Sequence, residues 1–85
     1  MGASGTLTAY IQSAMRRATY EKLEDDGTFL GRIPGLDGVW ANEPTLEACH
    51  EELQSALEDW ILFSLVNGFA VPPLDGIDLS VAKVG

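Results

Sequence analysis

An α+β fold, one antiparallel sheet against one main helix, is what this 85-residue sequence predicts. Three observations carry the prediction. Short strand-like segments separated by glycine-containing turns fill residues 18–42. An apolar period of three and four then runs from Leu46 to Leu65, which is the spacing of a helix face. A last segment over 77–81 alternates apolar and polar side chains, which is the spacing of a strand. Strands followed by a helix and a further strand give an α+β layer structure.

The elements follow in order. Residues 1–5 are small and read as a flexible tail. Residues 6–17 read as an N-terminal amphipathic helix, capped by Thr6 or Thr8. Its apolar positions are Leu7, Tyr10, Ile11, Ala14 and Met15, with Arg16 and Arg17 at the end where the helix dipole favours cations. The main domain is expected over 18–82. Ala18 to Leu23 reads as its first strand, and Asp25-Asp26-Gly27-Thr28 as a hairpin turn. Phe29 to Ile33 returns and stops at Pro34, which cannot donate to a ladder. Gly35 to Gly38 is expected to turn again, and Val39 to Asn42 to form the third strand of a meander. Thr45 is placed to cap the long helix, with Glu47 in its first turn. Asn67-Gly68 ends that helix, Val71-Pro72-Pro73-Leu74 connects, and Ile77 to Val81 is expected as the fourth strand.

Composition limits the functional classes. The chain is 46% hydrophobic and 21% charged, as expected of one folded domain. A domain this small buries only about 60% of the surface its unfolded chain exposes, so its core is thin and homo-oligomerisation is expected. Thirteen acids against five bases give a net charge of −8. The only Lys and Arg residues are Arg16, Arg17, Lys22, Arg32 and Lys83, too few and too scattered for phosphate contacts, so neither nucleic acid nor an anionic membrane is an expected partner. The longest greasy run, Trp60 to Val66, is far short of the ~20 residues a membrane helix needs. A single cysteine, Cys49, cannot close an internal disulfide, and a cytoplasmic setting is expected. One His and one Cys exclude a His/Cys zinc site within one chain, and no cofactor is expected.

The candidate chemistry is correspondingly sparse. Asp25-Asp26, Glu51-Glu52 and Glu58-Asp59 are paired carboxylates. Helix neighbours diverge and turn residues are solvated, so acid–base roles are not expected of them. Cys49 falls on the apolar stripe and His50 off it, in solvent, so their adjacency makes no catalytic pair. Gly31, Gly35 and Gly38 open no helix and form no phosphate cradle. An enzyme is therefore not expected. The informative pattern is on the long helix. Glu47, Glu51 and Glu58 occupy its polar side, and no Lys or Arg lies between Arg32 and Lys83. An uncompensated acidic face suits a basic partner, whose approach it speeds and orients. Trp60 reads as core. Of Val39 and Trp40, one must face away from the helix, and an exposed aromatic there would favour association.

The run Gly27-Thr28-Phe29-Leu30-Gly31-Arg32-Ile33-Pro34-Gly35-Leu36-Asp37-Gly38-Val39-Trp40-Ala41 resembles the HicB-like antitoxin family. Thr45-Leu46-Glu47-Ala48 and the following Glu51 to Glu58 are similar to that family's helix start, and Val71-Pro72-Pro73 to its exit from the helix. The similarity spans residues 18 to 80. It implies a partial ribonuclease-H-like fold, strand-strand-strand-helix-strand, without catalytic carboxylates. It also implies a function: binding and neutralising HicA, a small basic toxin that cleaves messenger RNA. Glu47, Glu51 and Glu58 are the expected toxin contacts. Many members carry a C-terminal DNA-binding segment; here few residues follow the last strand, and operator binding is not expected. Two rivals remain. One is a non-catalytic adaptor or structural homo-oligomer without a toxin. The other is a metal-dependent nuclease using Glu21 and Asp78.

Overall fold

The computed structural model describes residues 3–79. Five elements occur: α1 (Ala3–Arg16), β1 (Thr19–Lys22), β2 (Phe29–Ile33), β3 (Leu36–Glu43) and α2 (Leu46–Asn67). The strands form an antiparallel sheet in the order β1-β2-β3. The α+β class, the meander and both helices are as the sequence predicts.

Each strand has an inner and an outer row. The rung Tyr20–Gly31–Ala41 faces α2, while Thr19–Arg32–Trp40 faces away and is exposed. Gly31 is required at its place. A Cβ there would lie 3.0 Å from the Cys49 sulfur and 3.1 Å from the Tyr20 ring, so the helix settles onto bare backbone. β1 and β2 are joined by a loop over 23–28. The Leu23 amide donates to the Thr28 carbonyl at 2.7 Å, and the Asp26 carboxylate accepts from the Thr28 amide and hydroxyl at 3.0 and 2.7 Å.

The second turn differs from the expectation. It is Pro34-Gly35 alone, with Gly35 at φ 91°, and β3 starts at Leu36. Proline followed by a positive-φ glycine suits a type II turn. Arg32 pairs with Trp40 but Ile33 with Leu36, so residues 37–39 bulge out of the ladder. The bulge lets Leu36 and Val39, three apart, both point into the core. It also places Gly38 beside the Trp60 indole, whose nitrogen is 3.4 Å from where a Cβ would be.

α2 has the ends the sequence assigns it. The Thr45 hydroxyl accepts from the Ala48 amide at 3.1 Å. Gly68 takes the left-handed conformation, and the amides of Gly68 and Phe69 donate to the carbonyls of Leu65 and Ser64. This is a Schellman cap, and the Phe63–Phe69 ring contact at 5.7 Å is the apolar contact that accompanies it. Cys49, Leu53, Leu57, Ile61 and Ser64 form the buried stripe. Each large apolar member contributes roughly 1.5–3 kcal/mol by leaving water. At ~33 Å, α2 is about twice as long as β2, whose five residues span ~17 Å. Leu46 and Leu65, at the two ends of the apolar run, are exposed.

α1 starts at Ala3, so Thr6 and Thr8 are inside it rather than at its cap. It packs on α2, burying Tyr10, Ser13 and Ala14, and leaves the sheet's outer face open. The segment after α2 straps it down. The Tyr10 hydroxyl donates to the Pro72 carbonyl at 2.5 Å, and Asp75 accepts from the Ser13 hydroxyl and, at 2.5 Å, from Arg17. Burial pushes the Tyr10 phenol up, with the Asp78 charge adding to the effect. The expected fourth strand over 77–81 is not formed in its described part. Ile77 instead bridges back to Leu74 across Asp75-Gly76, both at positive φ as a type I′ turn requires. That turn uses the Ile77 backbone locally, at 2.7 and 3.1 Å, so it does not extend the sheet. Ser80 and Val81 lie outside the described residues.

Candidate functional site

The outer side of α2 presents a row of exposed carboxylates. Glu47, His50, Glu51, Gln54 and Glu58 recur at steps of three and four, so they share one side of the helix. The three glutamates singled out from sequence are thus brought together, and all are exposed. Glu58 accepts from Gln54 at 3.2 Å. The ion pairs Arg17–Asp75 and Arg32–Glu21 lie elsewhere.

Two depressions flank this row. A groove of about 550 Å³ separates α1 from α2, with Ile11, Met15 and Arg16 on one wall and His50, Gln54 and Glu58 on the other. A smaller apolar hollow of about 360 Å³ lies between Tyr20 and the helix start, walled by Leu46, Glu47, His50 and Glu51. His50 belongs to both. It is exposed, as expected, yet it has a partner: its Nδ1 is 3.1 Å from the Tyr20 hydroxyl. Burial pushes the Tyr20 phenol up, with the neighbouring Cys49 thiol adding to the effect. Arg16 puts one cation at the edge of the acidic row, across the helix interface. Neither Tyr20 nor Arg16 is marked as a site residue by the sequence. Their link to the row joins positions 30 or more residues apart, and no local pattern carries it.

Cys49 sits beneath the row in the core. Its sulfur is 3.5 Å from the Phe29 carbonyl and 3.6 Å from that of Ala41, and burial pushes the thiol up. A thiol so placed is a packing group rather than a nucleophile. Among the described residues, no group of three His, Cys, Asp or Glu is close enough to hold a metal ion, and no helix is long and apolar enough to cross a membrane. On the far side of the sheet Trp40 is 59% exposed, beside Arg32 and Leu30 in a depression of about 840 Å³. Val39 is the inward member of that pair.

A family model described as UPF0150-like matches residues 9–72, spanning the second half of α1, the sheet, α2 and the first part of the strap. The chain belongs to the UPF0150-like family. The solved structure of TTHA0281 from Thermus thermophilus is similar to this UPF0150-like chain. It is 46% identical, with a TM-score of 0.83 over 93% of this chain and 98% of that one. No curated protein matches the chain. The family model covers all three glutamates and their neighbour His50, so the acidic row lies on the family's shared framework rather than on an appendage.

Proposed function

We propose that this UPF0150-like protein is a HicB-like antitoxin of a type II toxin-antitoxin system. It binds a small basic, RNA-cleaving HicA-type toxin and blocks it by contact, with no catalysis of its own. The observation that carries the reading is the row Glu47, Glu51 and Glu58, exposed together on a helix that bears no Lys or Arg. Like charges at this spacing cost the isolated helix a few tenths of a kcal/mol each, so the row is not there for helix stability. Its field extends about a Debye length, ~10 Å at ordinary salt, and draws in a cationic surface. The flanking hollows give a docked partner apolar contact beside the charge.

The experiment is inhibition of a HicA-type toxin. Purified antitoxin should suppress RNA cleavage near a one-to-one ratio. The Glu47→Lys, Glu51→Lys, Glu58→Lys triple variant should need a large excess. Cleavage that continues at full rate with wild-type protein in excess rejects the reading.

A further inference from the structure

The second half of α2 carries a different surface. Val66 is 75% exposed, Leu62 63%, Phe63 57%, Phe69 56% and Leu65 43%. Leu62 and Val66 lie one turn apart on α2 with Phe63 and Leu65 at their sides, and the Phe69 ring, just past the helix end, meets that of Phe63 at 5.7 Å, so the five make one continuous patch. No charged residue occurs between Trp60 and Leu74 in a chain of net charge −8. Side chains of this size leave on the order of 500–600 Å² of largely apolar surface open per copy, the upper end of what a monomer usually shows.

We infer that this patch is a self-association surface, occupied by the same patch of a second copy around a two-fold axis near Val66. Three features favour that occupant. Two such patches together bury about 1,000 Å² or more, the lower bound for a specific interface. The patch is neutral, so two strongly acidic molecules can meet there without bringing their charge together. In an antiparallel crossing, Leu62 meets the partner's Phe69 end, and each Asp59 falls beyond the end of the opposing helix. An anionic membrane is disfavoured by the same charge. A basic partner has nothing here to pair with. The glutamate row lies on the earlier turns and stays open in the dimer, so this inference does not rest on the antitoxin reading.

Sedimentation velocity over a concentration series tests it. The wild-type protein should sediment at twice the chain mass at high concentration. Val66→Asp changes a side chain that the core does not use and should raise the dimer dissociation constant by about tenfold or more. Circular dichroism confirms that the variant is folded, and Leu62→Glu is the second variant. Trp40→Glu, on the outer sheet face, should leave association unchanged. A wild-type chain that stays monomeric overturns the proposal, including one that floats with neutral vesicles instead. So does dissociation by Trp40→Glu with the α2 variants still dimeric.

Discussion

Along α2 the inward stripe is uniform, Cys49, Leu53, Leu57, Ile61 and Ser64, whereas the outward side changes character at Asp59. Before that residue it carries Glu47, Glu51 and Glu58; after it come Leu62, Phe63 and Val66. Core packing dictates only the inward stripe, so the outward difference has another origin. The acidic half acts over distance, with a field that salt screens. The apolar half acts only in contact, through water release that salt does not weaken. One helix thus offers two surfaces, of which salt weakens only the acidic one.

The largest effect comes from breaking what the two halves share. Leu53→Ala or Leu57→Ala empties a fully buried position and should cost about 2–5 kcal/mol in urea unfolding. For a domain of this size that is a large part of the total stability. Both surfaces should fail together. A variant that unfolds like wild type would show that the stripe is not the common support.

Salt should separate the halves. Raising sodium chloride from about 0.1 to 1 M shortens the Debye length to ~3 Å. Association of the glutamate row with a basic partner should then slow by about tenfold or more, while the sedimentation of the protein alone stays unchanged. Charge reversal at Glu47, Glu51 and Glu58 should abolish that salt dependence in stopped-flow association and leave Val66-dependent association intact. If both processes respond alike, the two halves are not physically distinct.

The uniform stripe is legible in the sequence and the divided outer side only in part. Thr45, Gly68 and the limits of β2 follow from local rules: a hydroxyl before an apolar period, a glycine after it, a proline past the strand. The glutamates share a face because their spacing is helical. What escapes a sequence reading depends on contacts between distant segments. The bulge at 37–39 sets Gly38 against Trp60, 22 positions away, and His50 meets Tyr20 across 30. Leu65 continues the apolar period yet is exposed beside buried Ser64, which no periodicity reveals. The absent continuation at Ile77 is a different kind of miss. Asp75-Gly76 carries the same acid–glycine signal as Asp26-Gly27, but the alternation after it masks the turn.

Asp75 provides the smallest and sharpest separation, because it supports α1 without belonging to either half of α2. Hydrogen bonds from Ser13 and Arg17 hold its carboxyl below the ordinary value of 3.8, and the Arg17 charge adds to this. A carboxyl whose value is lowered by folding stabilises the folded state at pH above its unfolded value, and that contribution is lost as pH falls through the folded value. Asp75→Asn keeps an acceptor for Ser13 but loses the charge. The variant should melt below wild type at pH 6, and the gap should close as the pH is lowered past the carboxylate range. The group is solvent-facing, so the gap is modest and salt should narrow it further. Sedimentation and partner association at pH 7 should be unaffected, since neither patch contains Asp75. A melting gap that is constant from pH 6 to strong acid would mean that the Ser13 and Arg17 contacts do not hold the carboxylate in solution.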